Sequence, residues 1–264
     1  MSMTARMDVA PIGRMLGAQT KAQLRTRLRI PTFTVLSLGM PVMFFALFDA
    51  IFGSQKQAPG VTTGEYILVS YATYAVANVM VYNFGIGIAS ERGRKLDLLQ
   101  RAMPVPPLVP VVAQIISVIV FAFIALLLLF AYAFLVGGIR LGAATWLDLL
   151  WRLLLGSFPM MGLGLAIGYG TGANAAPAVV NVVYLPMSFL SGIFIPFSIL
   201  PSTVQKIGQV LPTYHYANLG WNILGPGAAY ESSGTALLWL AAWTVVLFAI
   251  ALRIYRLDET QKFS

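Results

Sequence analysis

Ser90-Glu91-Arg92-Gly93-Arg94-Lys95-Leu96-Asp97-Leu98-Leu99-Gln100-Arg101-Ala102-Met103-Pro104 is a charged island between two long apolar runs. It carries six charged side chains, in a chain whose 264 residues include only 17 basic and nine acidic ones. Charge this dense is costly in hydrocarbon, so the island belongs in water and the flanking runs in something else. It is also the place where a soluble partner can take hold of an otherwise greasy chain.

The composition agrees. The chain is 58% hydrophobic and 10% charged, where soluble domains run at about 45–50% and about 25%. The excess lies in runs too long for a soluble core, which predicts an integral membrane protein. There is no cysteine, which excludes disulfides and thiolate metal sites. A single histidine and few acids leave little for hydrolytic or metal chemistry. The net charge of +8 is compatible with nucleic acid. The basic residues instead flank the apolar runs, which fits anionic lipid headgroups and predicts no nucleic-acid partner. The first 30 residues lack the compact apolar stretch and small-residue site of a cleavable signal peptide.

Residues 1–31 form a basic cytoplasmic segment in which Ile12/Leu16 and Leu24/Leu28 are i,i+4 pairs. That spacing fits an amphipathic helix lying on a membrane surface; a solvated basic tail is the alternative. Residues 32–264 read as one membrane domain with no soluble part. Six apolar segments follow one another, at 33–52, 66–89, 108–136, 147–169, 175–196 and 235–255. Six crossings put both termini on one side. Thirteen Lys and Arg lie in the N-terminal segment, the 90–107 loop and the tail from Arg253, against four on the opposite side, Lys56, Arg140, Arg152 and Lys206. The bias places the termini and the loop in the cytoplasm. The fold class expected is an all-α membrane protein with six transmembrane helices.

The segment 197–226 is too apolar for a plain loop and too broken for a crossing. Pro201, Pro212 and Pro226 punctuate it into two short helical pieces. Each is far below the ~20 residues a crossing needs. The pieces either dip into the membrane and return, as re-entrant helices with their backbone ends covered by protein, or lie as an amphipathic surface loop.

No Gly-Lys pair occurs, so the phosphate-cradling loop of nucleotide hydrolases is absent. Gly164/Gly168 and Gly168/Gly172 are GxxxG pairs, suited to close helix packing within the chain or between chains. Ser191 and a later His215 have the residue types of an intramembrane serine protease. Phe189 stands where the rhomboid type needs glycine, and no acid is placed to orient the histidine. Flanked by Tyr214 and Tyr216, His215 reads as a member of an interfacial aromatic belt. Asp49, Glu65 and Asp148 fall at predicted interfaces, Asp148 with Arg152 at i+4. The near absence of charge at mid-membrane argues against an ion-coupled carrier. Tyr71, Tyr74, Asn78 and Tyr82 share one stripe of the second segment, and Asn181, Tyr184 and Phe189 lie in the fifth. These residues suit either a weakly polar ligand or hydrogen bonding between helices.

Two stretches resemble the ABC-2-type exporter permeases. One is Glu91-Arg92-Gly93 through Leu96-Asp97 to Pro104. The other is Leu190-Ser191-Gly192-Ile193-Phe194-Ile195-Pro196, with Leu200-Pro201 and Leu211-Pro212-Thr213-Tyr214 after it. The likeness covers essentially the whole chain, with Arg94-Lys95 a departure from the shorter, less basic link of many relatives. The resemblance implies a permease without its own ATPase site, paired with a second copy or a homologue. Two separate ATP-binding-cassette subunits would carry the ATP and Mg, leaving no cofactor in this chain. Glu91, Arg92, Gly93, Arg94, Leu96, Asp97 and Leu98 would belong to a cytoplasmic coupling helix seated on the ATPase. Pro196, Pro201, Pro212, Tyr214 and His215 would belong to the re-entrant segment. The second and fifth segments would line the path of a hydrophobic or amphipathic substrate, drug-like or lipid-like, with a lipid-linked polysaccharide as the alternative. The resemblance further implies a bacterial cytoplasmic (inner) membrane.

Overall fold

The computed structural model describes residues 11–28, 38–94, 105–106 and 108–262, with side chains up to Asp258. Leu96, Asp97 and Leu98, and the beginning of the first apolar segment, lie outside the described residues. The rest is almost all helix. In order come α1 (Ile12–Leu28), α2 (Met40–Phe52), a small antiparallel hairpin of β1 (Lys56–Ala58) and β2 (Val61–Thr62), α3 (Thr63–Gly93) and α4 (Leu108–Leu135). Then follow α5 (Ala143–Gly156), α6 (Phe158–Gly170), α7 (Ala176–Leu190), α8 (Ser202–Gly208), α9 (Pro212–Trp221) and α10 (Ser233–Lys262). The bundle has a hairpin end, marked by β1 and β2, and a loop end, marked by Gly93.

The post of the bundle is α3. Its 31 residues reach about 46 Å at 1.5 Å per residue. Thr62 caps it, accepting from Glu65 N at 3.2 Å, while the Glu65 carboxylate accepts from Thr62 N at 2.8 Å. That reciprocal pair satisfies backbone donors that would otherwise be open at the helix start. Nearly all of α3 is buried, with α2, α4, α6, α7 and α9 packed around it.

α5 and α6 form one span broken at Ser157. Pro159 supplies no N–H to Leu155 O in the turn before it, and α6 begins with Ser157 O accepting from Met160 N and Met161 N. Below the break, α6 lies directly on the α3 backbone. A Cβ at Gly168 would stand 2.5 Å from Phe84 O, and one at Gly164 would stand 3.0 Å from Val81 O. Neither position tolerates a side chain, so this GxxxG pair works within the chain. Gly162 faces α10 in the same way, against Leu247 and Phe248.

Among the described residues four helical stretches are long and apolar enough to cross a membrane: Thr63–Gly93, Leu108–Leu135, Ala143–Gly170 and Ser233–Asp258. α2 and α7 are apolar but have 13 and 15 residues. α4 shows the one-sided burial of a lipid-facing helix. Ala113, Ser117, Phe121, Ala125, Leu129 and Ala133 form a buried i+4 ladder, while Val112, Phe123 and Leu127 are exposed. The fifth segment was expected to run to residue 196, but its helix stops at Leu190. Gly192 adopts a φ of +83° and turns the chain so that Phe197 packs back against it, and a Cβ there would meet Phe197 Cβ at 2.8 Å.

The two pieces beyond it match the expected punctuation: Pro201 precedes α8 and Pro212 opens α9. Every residue of α9 is buried. It sits between α3, α5, α7 and α10. Tyr216 donates to Leu153 O at 2.5 Å, and Trp221 Nε1 donates to Ser70 Oγ at 3.0 Å. Ser70 lies about 11 Å along α3 from its first residue. α1 packs across α4, joined by Ser117 Oγ donating to Gln23 at 3.0 Å.

Replacing Gly168 by Leu is expected to cost about 1–3 kcal/mol through over-packing. It should lower the melting midpoint of the detergent-solubilised protein. Gly172→Leu, with nothing within 4 Å of its Cβ position, should leave the midpoint where it is. Equal midpoints for the two variants would show that the α3–α6 contact does not depend on glycine.

Candidate functional site

Three regions hold the residues that the sequence singles out. At the loop end, α3 finishes in Glu91, Arg92 and Gly93, with Arg94 capping it. Arg92 turns into the protein. Its Nη1 donates to Gly168 O and Tyr169 O at 2.9 Å and to Thr171 O at 3.3 Å, the open carbonyls where α6 ends. Its Nη2 forms an ion pair with Asp258 of α10. Both side chains are less than one-fifth exposed. Glu91 lies near enough to Arg27 of α1 for their charges to interact. Burial lowers the Arg27 guanidinium to about 10 and Glu91 opposes that shift, so Arg27 is charged at neutral pH. Gly93 and Arg94 are exposed.

The base of the charged loop is therefore anchored to α1, α6 and α10 at once. Asp258 was not among the expected site residues. It is 166 residues away from Arg92, and no local pattern connects the two.

Midway, α3 and α7 meet along an aromatic seam. Tyr74 stacks on Tyr184 with ring centroids 5.6 Å apart, and the Tyr184 hydroxyl donates to Tyr74 O at 3.1 Å. Tyr82 donates to Asn181 Oδ1 at 2.5 Å. Tyr71, Tyr74 and Phe189 each contact the ring of Phe194, at 5.9, 4.8 and 4.7 Å. The structure thus gathers Tyr71, Tyr74, Tyr82, Asn181, Tyr184 and Phe189 into one layer. Asn78 shares the α3 stripe and is buried.

The hydroxyls of Tyr82 and Tyr184 and the Oδ1 of Asn181 serve bonds between helices. Those of Tyr71 and Asn78 do not: the Tyr71 hydroxyl and Asn78 Oδ1 are buried without a partner. Such groups are costly and stand ready for a ligand's donor or acceptor. Phe194 is the hub that the sequence reading overlooked. It follows the Ser191-Gly192 turn, and only the fold brings it under the stripe.

At the hairpin end, His215 is 1% exposed, which corrects its reading as an interfacial belt residue. Its ring stacks on Trp239 with centroids 4.8 Å apart and an angle of 6°, and Nδ1 lies 2.8 Å from Glu231 Oε1. The acid that seemed absent is Glu231, brought back by the turn at Gly225-Pro226-Gly227. A protease dyad is nevertheless not assembled. The Ser191 hydroxyl donates to Met187 O at 2.6 Å and contacts Thr213 Oγ1 rather than the histidine. Pro196 precedes a short helical turn at Phe197–Ile199, and Phe197 packs on Tyr214 at 4.7 Å. Asp148 and Arg152 form the expected pair at 2.9 Å. Among the described residues no cluster of acids and histidine fits a metal ion.

The sequence model of the ABC-2 type transporter family matches residues 15–223. The chain is 26% identical over 246 residues to "Putative transport permease YvfS" of Bacillus subtilis, covering 93% of this chain and 98% of that protein. It is 34% identical over 114 residues to "Inner membrane transport permease YhhJ" of Escherichia coli, covering 38% of this chain and 30% of that protein. With a family match over most of its length and, among the described residues, four helices able to cross a bilayer, the chain belongs to the ABC-2 type transporter family, as a multi-pass membrane protein.

Proposed function

We propose that this chain is the permease subunit of an ATP-binding-cassette exporter in a cytoplasmic membrane, and that it moves a hydrophobic or amphipathic molecule. The observation that carries the reading is α3 itself. One unbroken helix bears Glu91 and Arg92 at the loop end and the aromatic seam along its length. A push on the loop is delivered to the seam by a rigid rod, and Arg92 shares it with α6 and α10. Family membership implies pairing with ATP-binding subunits in general.

On this reading, residues 90–107 form the coupling element, and ATP-driven closure of two partner subunits shifts the permease between states through contacts that differ in those states. The conformational equilibrium lies between α7, which meets α3 mainly through rings and two hydrogen bonds, and the glycine-packed body of α3, α6 and α10. α2 and α7 complete six crossings with the long helices. α8 and α9 are re-entrant and close the outer end. The burial of all of α9 supports that assignment, because a surface loop would leave one face wet. α1 lies along the inner surface, with both termini cytoplasmic. A second copy or a homologue completes the path beside α3 and α7.

The absence of native cysteine makes the topology directly testable. A single cysteine placed at Lys206 should react with an impermeant maleimide in intact cells. One placed at Arg94 should react only after the membrane is opened. The reverse pattern would invert the assignment, and labelling of both sites from outside would sink the six-crossing arrangement.

Coupling is read in vesicles reconstituted with the partner ATPase, as substrate-stimulated hydrolysis and ATP-dependent dye accumulation. Arg92→Ala should lower both strongly, because it removes three carbonyl contacts and an ion pair. Asp258→Ala removes one of the four and should do less. The interaction energy between the two positions is expected to be on the order of 1–2 kcal/mol. Glu91→Ala should reduce stimulation while membrane insertion is retained. Normal stimulation in Arg92→Ala and Glu91→Ala protein that inserts normally would refute the coupling role.

A further inference from the structure

A cavity of about 390 Å³ opens at the hairpin end between α2, the first turns of α3 and the chain from Ile193 to Ile199. Its size is near the lower end of ligand pockets, about 300–1,000 Å³. The walls are mainly apolar, formed by Phe48, Ile67, Phe194 and Ile199 among others. Polar side chains interrupt them, Gln55, Gln57, Thr63, Tyr66 and Ser70 beside Tyr71 and Lys56. Tyr71 lines the cavity, is 2% exposed, and has a hydroxyl with no hydrogen-bond partner. Lys56 also lines it and is itself exposed.

Among the described residues, no carboxylate forms a salt bridge with Lys56. Glu65 is held in the cap on α3. Tyr71 and Phe194 belong to the aromatic seam as well, so the cavity continues directly from the proposed path.

The geometry points to a binding site for a single-chain anionic amphiphile: chain among the rings, a carbonyl acceptor near the head taken by the Tyr71 hydroxyl, and the negative head held at Lys56. Its meaning as cargo leaving the membrane rests on the permease reading above; the binding chemistry does not. An apolar wall alone selects nothing among amphiphiles. The ammonium supplies a sign, and the buried hydroxyl supplies a position for one acceptor.

The test is equilibrium binding to the full chain in phosphatidylcholine nanodiscs, with empty discs subtracted. The probes are lauroyl lysophosphatidate, its ether analogue without the carbonyl, and lauroyl lysophosphatidylcholine. Lysophosphatidate should bind about five-fold or more tightly than the choline compound, the size of one favourable charge contact. Lys56→Glu should abolish that preference. Tyr71→Phe should weaken the ester probe about five-fold and leave the ether analogue unchanged, as expected for one lost hydrogen bond. Added phosphatidylglycerol in the disc should not compete.

Binding indifferent to head charge, or unchanged by Lys56→Glu, overturns the site. An equal effect of Tyr71→Phe on both chains overturns the role of the hydroxyl. Competition by phosphatidylglycerol identifies a resident bilayer lipid and overturns the cargo assignment. Co-purification of the ATP-binding subunits with the same protein is scored separately. Its failure counts against the permease reading, whereas charge-blind binding with intact co-purification counts against this inference alone.

Discussion

A helix whose end is buried leaves carbonyls with no water to accept from, and each one costs several kcal/mol unless a protein donor reaches it. This chain stops and restarts its helices repeatedly, so supplying those donors is the constraint on which the rest depends. Arg92 serves the end of α6. Gln205 donates to Phe197 O at 3.2 Å and to Leu200 O at 2.8 Å across the turn before α8. Thr213 donates to Met187 O near the end of α7 at 3.1 Å, and Tyr216 serves Leu153 near the break in the α5–α6 span. Each donor comes from another element. The bonds that satisfy the breaks are therefore also the bonds that hold the elements together.

Glycine supplies the second half of that economy. Where α6 touches α3 there is no room for side chains, and the backbones approach closely. Lipid provides little hydrophobic drive between helices, so such close contact is the main source of cohesion. The contrast with α7 is instructive. It meets α3 through large rings and two hydrogen bonds, Tyr82 to Asn181 and Tyr184 to Tyr74 O. One side of α3 is locked by backbone proximity, and the other is held by side chains that can change partners.

Much of this was legible in the residues. The stripe of Tyr71, Tyr74, Asn78 and Tyr82 is visible because helical spacing repeats locally. Pro201 and Pro212 mark α8 and α9 because proline acts on the residues beside it. The Asp148–Arg152 pair is one turn long and equally readable. What escaped is what depends on closure of the fold. The partner of Arg92 is 166 residues away, and that of His215 lies 16 residues on, across a glycine-proline turn. The end of α7 at Leu190 depends on Gly192 adopting a positive φ against Phe197, and a Ser-Gly pair in a greasy run does not announce that. Phe194 is a hub only because that turn folds it under Tyr71 and Tyr74.

The contacts of α10 bear on the order in which the chain is assembled during synthesis. His215 stacks on Trp239, and Arg92 pairs with Asp258, so both ends of the bundle are finished by a helix made after every element it joins. Until α10 leaves the ribosome, α9 lacks one wall and the end of α6 lacks part of its clamp. α7, short for independent insertion, is retained by neighbours that are themselves incomplete. The nascent protein thus spends its synthesis as a loosely joined set of helices. Its shape is closed by α10, whose contacts join helices that are distant in sequence.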